Sequence, residues 1–278
     1  MRLVAAIFAL VALPASAAVT CTSTVTAITV VYDPTSPTTN VTTGSYSISC
    51  TRALTDPNTF AWQLGVNNGL HAGGGFNRAQ LAGAQRYNYE TYRTSPYVAG
   101  NIWGDTAATR FTGTLSFGAA LTASTSGAFD IVLLGSQTVQ PAGTYTDTLT
   151  ATLRNGAGTS IGTTTFGVTV LTTNTCQLSV APGNINFTYT SFQASAAAAS
   201  SSFGVRCTTA LPYTMALDAT SGTLLGLTYT LALSASSGTG SGATQTYNIN
   251  GSIAGNQSGT CGTGVCTGSQ TRTLTLTW

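Results

Sequence analysis

Gly143-Thr-Tyr-Thr-Asp-Thr-Leu-Thr-Ala-Thr-Leu153 and Gly268-Ser-Gln-Thr-Arg-Thr-Leu-Thr-Leu-Thr-Trp278 are two versions of one segment, and only the first leads into a further strand. Both place apolar and hydroxyl side chains in alternation, the period of a half-buried strand. After Leu153 comes a turn, Arg154-Asn155-Gly156-Ala157-Gly158, and then one more alternating strand, Thr163–Leu171. No such strand comes after Trp278.

The likeness extends upstream. Cys50-Thr51-Arg52-Ala53-Leu54 resembles Cys207-Thr208-Thr209-Ala210-Leu211, and each is preceded at a nearly equal interval by another cysteine, Cys21 or Cys176. Gly44–Ser49 and Ser202–Arg206, just ahead of the second cysteines, also alternate. The simplest reading is two copies of one domain, each stapled by its own bridge, Cys21–Cys50 and Cys176–Cys207. Such a loop adds about 3–4 kcal/mol in the chain-entropy account. Cys261 and Cys266 would close a small hairpin loop. Zinc is the rival use of these cysteines, but His71 is the one histidine and the cysteines lie far apart.

Short Val/Ile/Thr/Tyr/Phe runs separated by Gly, Asn, Asp and Pro fill the remainder, the pattern of an all-β sandwich. The Ala194–Ser202 run has helical propensity but no apolar stripe, and it is expected as a loop or edge connection. The expected fold is therefore two immunoglobulin-like β-sandwich domains, the C-terminal one incomplete and missing its last strand. Such an opening exposes unpaired backbone and core side chains. Phe187, Val205, Leu217, Leu274 and Leu276 are candidates to line it. About five apolar side chains buried at roughly 1.5–3 kcal/mol each would give on the order of 10 kcal/mol, gross. The second copy is thus expected to depend on a strand from outside.

At the N-terminus, Met1-Arg2, the apolar Leu3–Leu13 and Ala15-Ser16-Ala17 form the n-region, h-region and cleavage site of a secretion signal. The division is 1–17 signal, 18–172 first domain and 173–278 second domain. Only Ala18-Val19-Thr20 would then precede Cys21, whereas a subunit that donates a strand needs about ten free alternating residues. The chain is expected to accept a strand without giving one, and so to sit at one end of a polymer.

Of the 278 residues, 42% are hydrophobic, enough for packed cores. Charged residues are 6%, lysine is absent and the net charge is +2. No basic patch is available to bind nucleic acid, and no acidic cluster suggests calcium. No cofactor or metal site is expected.

Arg86-Tyr-Asn-Tyr-Glu-Thr-Tyr92, Trp103-Gly-Asp105 and Pro141-Ala-Gly-Thr-Tyr-Thr-Asp-Thr148, with the early cysteine pairs and the terminal alternating strand, resemble the spore coat U domain family, whose members build archaic, Csu-type chaperone–usher pili. The resemblance implies incomplete immunoglobulin-like pilin domains, a periplasmic pilus chaperone, an outer-membrane usher and a next pilin subunit that donates its strand. It implies passage through the periplasm to the cell surface, and a two-domain tip adhesin: a receptor domain followed by a pilin domain. The strand ending at Trp278 would be where the chaperone docks. The second copy departs from the pattern: it lacks a clear Trp-Gly-Asp and adds the Cys261–Cys266 loop.

Catalytic readings are weaker. His71 lies in a glycine-rich loop, where a turn residue is more usual than a base. Asp105 and Asp147 could form a glycosidase pair, but hydrogen bonding at turns or strand ends explains them better. Tyr87, Tyr89, Tyr92, Tyr97 and Trp103 could bind sugar, yet core packing is the simpler use, since Tyr87 and Tyr89 share one strand face. A receptor or surface would meet the pole distal to the second domain, at Thr51–Asn58 and Arg154–Ile161. The alternative to an adhesin is a coat-like structural protein without receptor binding.

Overall fold

The computed structural model describes residues 19–278 apart from 82, 84 and 263. The expected signal, 1–17, and its cleavage point lie outside the described residues. Nearly all regular structure is β. Among the described residues no helix is long and apolar enough to cross a membrane, and no cluster of His, Cys, Asp or Glu is placed to hold a metal ion.

Ten strands form the first unit: β1 (Thr20–Val25), β2 (Ile28–Val31), β3 (Asn40–Thr51), β4 (Thr59–Val66), β5 (Asn77–Gln80), β6 (Arg86–Tyr92), β7 (Phe111–Ser116), β8 (Thr122–Leu133), β9 (Gly143–Asn155) and β10 (Ser160–Thr172). They join in the order β1-β3-β8-β6-β5-β9-β10-β2, with β4 bridging β7 and β9. The final strand, β10, lies antiparallel to β9 and parallel to β2, so both of its edges are occupied.

Alternation places Ile48, Leu64, Tyr87, Ile131, Leu149 and Val168 in one enclosed core. Trp103 sits at its centre, 4.8 Å from Phe129 and stacked at 6.0 Å on Phe166 of β10. Its indole N–H donates to the Leu64 carbonyl at 3.0 Å.

The second unit repeats this plan with β11 (Cys176–Val180), β12 (Ala197–Cys207), β13 (Pro212–Leu217), β14 (Ser221–Leu224), β15 (Leu227–Leu233), β16 (Ser237–Thr239), β17 (Thr244–Ile253) and β18 (Leu274–Thr277). One sheet runs β11-β12-β17-β15-β14 and the other β16-β13-β18. Register aligns the copies closely, apart from a shift in β11–β12 between Leu178 and Val180. Cys21↔Cys50 and Cys176↔Cys207 are both cross-strand pairs and both bridges form. Tyr89 opposes Leu133 as Tyr229 opposes Ile253. Cys261–Cys266 is bonded as well.

Ala197–Ser202 corrects the expectation of a loop. It belongs to β12 and pairs with Ser252, Ile249 and their neighbours on β17. Pairing with a strand already held by β15 outweighs the poor β-propensity of alanine and serine. Asp147 is also not at a strand end: it lies within β9, buried, opposite Val168.

Glu90 on β6 is buried and accepts a hydrogen bond from Asn77 at 2.8 Å. Burial raises its carboxyl pKa above the ordinary value. The folded state therefore holds a proton that the unfolded state has already lost. The stabilisation is full below the ordinary carboxylate range and is lost as pH rises through the raised value. Glu90→Gln keeps the acceptor without the charge. Urea midpoints across about pH 4–8 should fall less with rising pH in this variant than in the parent.

Candidate strand-acceptor edge and distal pole

The two copies differ where β10 stands. In the second unit β18 takes the place of β9. It pairs with β13 through Met215↔Leu276 and Leu217↔Leu274, and among the described residues nothing pairs with its other edge. Ile185, Phe187 and Tyr189 take the place of β2. They alternate half-buried and exposed as a strand would, but form no ladder among the described residues. β2 is a strand because β10 lies parallel beside it, so a segment with the same pattern and no such neighbour stays irregular.

The side chains behind this edge are only partly covered. Leu217, Leu274, Leu276, Ile185 and Phe187 are half-buried and packed against the second core. Phe187 rests on Gly251 of β17, where a Cβ would collide with its ring. A cleft of about 460 Å³ opens among Met215, Leu217, Leu233 and Ala235. In the first unit the matching positions Leu149, Ala151 and Leu153 are fully buried. Trp278, which aligns with Leu153, is 56% exposed. Val205 differs from the other candidates: it is completely enclosed between β11 and β17 and supports the floor rather than offering a surface. Ile185, Tyr189, Met215 and Leu233 were missed in the sequence, although the Ile-x-Phe-x-Tyr alternation was there to be read.

The distal pole gathers Thr51–Asn58, the connection 117–121 and the Arg154–Ile161 hairpin. Thr51 pairs with Thr122, Phe117 N donates to Asn58 O, and Gln63 Nε2 donates to Gly156 O at 3.2 Å. Two of its arginines have structural partners. Arg52 is buried, donating to Ala120, Asp56 and Gly118 carbonyls, with its guanidinium over Phe117. Arg154 donates to Asp105 at 2.7 Å. Among the side chains that these pinned loops turn outward, three large ones are apolar: Leu54 is 78% exposed, and Leu121 and Ile161 are exposed as well, beside the polar Thr51, Thr55, Asn58, Thr159 and Ser160.

The residues considered for catalysis are engaged separately. Asp105 is held by Arg110 and Arg154. Asp147 accepts from Tyr89 Oη, Leu70 N and Thr148 N, each at 2.8 Å, and His71 Nδ1 lies 3.4 Å away. His71 therefore packs its loop onto a buried carboxylate instead of marking only a turn. Burial, and then the Asp147 charge, raise the Tyr89 pKa far above the phenol range, so its O–H remains a donor. Tyr87, Tyr89 and Trp103 are core residues, while Tyr92 and Tyr97 form an edge-on pair at 5.3 Å on the side of the sandwich.

A model of the Spore Coat Protein U domain matches residues 7–152 and 162–228. A chain of the CsuC–CsuE chaperone–tip adhesion subunit pre-assembly complex, from archaic chaperone-usher Csu pili of Acinetobacter baumannii, matches at 15% identity and a TM-score of 0.52, covering 93% of this chain and 100% of that one. The CupB6 tip adhesin from Pseudomonas aeruginosa matches at 11% identity and a TM-score of 0.38, covering 94% of each chain. The CooA pilin subunit from enterotoxigenic Escherichia coli matches at 9% identity and a TM-score of 0.34, over 55% of this chain and 96% of that one. No curated protein matches the sequence. At 15% identity the likeness to the CsuC–CsuE chain is one of fold.

Proposed function

Because the chain belongs to the Spore Coat Protein U domain family, we propose that it is an exported subunit of a chaperone–usher pilus: its second domain, 173–278, takes up a strand from another polypeptide, and its first, 18–172, meets the target surface. The observation that carries this reading is the contrast between β10, occupied on both edges, and β18, free on one. The incoming strand would lie as β10 does, antiparallel to β18 and parallel to Ile185–Tyr189. Its apolar side chains would cover Leu217, Leu274, Leu276 and Phe187.

A periplasmic chaperone is the expected holder of this edge before assembly, with Trp278 at its margin, and an outer-membrane usher the expected site of exchange. The solved fold neighbour drawn from a chaperone–tip adhesion subunit complex supports a chaperone partner. Placement at the fibre end is part of this proposal; among the described residues every regular strand is paired within its own domain.

Attachment is assigned to the distal pole, where Leu54, Leu121 and Ile161 stand exposed on loops pinned by Arg52 and Arg154. Leu54→Ser with Leu121→Ser should reduce attachment several-fold while shifting first-domain stability by less than about 0.5 kcal/mol, as exposed substitutions do. Cell attachment assays paired with urea melts check this. Unchanged attachment by a chain carrying both substitutions would place the contact elsewhere.

A further inference from the structure

The junction inside this chain shows how one sandwich delivers the next. β10 closes the first unit, and after Thr173-Asn174-Thr175 the second unit begins at Cys176. So short a link presses the cysteine-bridged pole of the second unit onto the pole where β10 ends. Thr209 Oγ1 donates to Val139 O at 2.7 Å across this junction, and Val139 is buried. Arg206 on the same side approaches Gln137 O at 3.5 Å.

The second unit has a corresponding far pole, made by residues 190–196 ahead of β12 and 254–273 between β17 and β18. The second of these loops is much longer than its counterpart, 134–142, and contains the Cys261–Cys266 bridge. The pole is tightly tied. Phe192 N donates to Gln257 O at 2.8 Å, Asn256 N to Gln193 O at 2.7 Å, and Thr260 N to Leu225 O at 2.8 Å. Phe192, Leu225 and Asn256 all hold positive φ, at 61°, 51° and 62°, a conformation that non-glycine residues adopt only when their surroundings enforce it. These contacts hold Phe192 68% exposed, and Val265, inside the Cys261–Cys266 loop, is 95% exposed. Outward apolar side chains of this kind mark interaction surfaces.

We propose that this far pole is the docking surface for the body of the strand donor: the cysteine-bridged end of a following β-sandwich, joined to its donor strand by a link about as short as Thr173–Thr175. The proposal rests on the strand-acceptance reading, because a strand laid along β18 in the β10 direction ends at this pole and delivers its own domain there. Phe192 and Val265 then do for the next junction what Val139 does for the internal one. The Cys261–Cys266 loop, which the first unit lacks, enlarges the surface the donor meets.

Two extensions of the full chain test it. In one, residues 154–172 are repeated after Trp278, supplying turn and strand. In the other, residues 154–278 are repeated, supplying strand, link and a second sandwich. The added segment is isotope-labelled by ligation so that its peptides are told apart, and side-chain exposure is read by hydroxyl-radical footprinting. The expected result is protection of Leu274 and Leu276 in both extensions, with several-fold protection of Phe192 and Val265 in the longer one alone. Protection of the leucines without Phe192 and Val265 in the longer chain overturns the docking surface and leaves strand acceptance standing. Labelling of the leucines at the parent rate in both chains overturns strand acceptance, and the docking surface with it.

Discussion

Repeating residues 154–172 after Trp278 should raise the unfolding free energy of the second sandwich by about 5 kcal/mol, through burial, hydrogen bonding and ordering taken together. Covering about five apolar side chains contributes on the order of 10 kcal/mol. About eight new ladder hydrogen bonds, along β18 and along Ile185–Tyr189, add about 1 kcal/mol each. Ordering about ten residues costs roughly 13 kcal/mol. The balance is comparable to the whole stability of a small domain, so the open sandwich by itself is marginal. Urea unfolding should show a low-stability transition in the parent chain, reported by Trp278, and a single late transition in the extended one. The first-domain transition, reported by Trp62 and Trp103, should not move, because that unit already contains β10.

The second large effect concerns the closed domain. Trp103→Ala should cost about 3–5 kcal/mol, the range for removing a large aromatic side chain from a packed core. Trp103 is 1% exposed and touches Phe111, Phe129 and Phe166. Its loss also removes the indole N–H bond to the Leu64 carbonyl. Trp103→Phe restores most of the ring volume but not the donor, and should lose less. Denaturant melts of both variants check the order, and the second-domain transition should stay where it is.

The second copy has no room for this tryptophan. Only residues 234–236 separate β15 from β16, whereas 93–110 separate β6 from β7. The absence of a Trp-Gly-Asp segment there goes with the open edge of β18 among the described residues. Trp103 stacks on Phe166 of β10, a strand with no counterpart among the described residues of the second unit.

Much of the architecture was legible because the informative features are periodic. Alternation from Gly143 to Leu153 and from Gly268 to Trp278 located β9 and β18, and nearly equal cysteine spacing located the β1–β3 and β11–β12 pairs. Legibility failed where tertiary pairing overrides local preference. Ala197–Ser202 is a strand because β17 offers it a ladder, and no property of alanine or serine announces that. Order within 69–117 was not readable either. There β5 and β6 pair with each other, and the Trp103 segment folds back on β6 through an isolated bridge, Tyr92 to Ile102, with Trp103 N donating to Thr91 O and Thr91 Oγ1 donating to Trp103 O. Arg154 carries the same formal charge whether it faces a receptor or Asp105, and its geometry alone assigns it to Asp105. Exposure of Leu54, Leu121 and Phe192 is likewise a property of loop conformation, which composition does not encode.

Native-state hydrogen exchange on the full, unextended chain addresses the central claim most directly, by comparing amides at Ile185–Tyr189 and Leu274–Thr277 with those at Ile28–Val31 and Leu149–Leu153. The account predicts rapid exchange along the outer edge of β18 and through Ile185–Tyr189, beside slow exchange at both first-domain segments. Equal protection of all four segments in the monomeric chain, with no strand supplied, would contradict it.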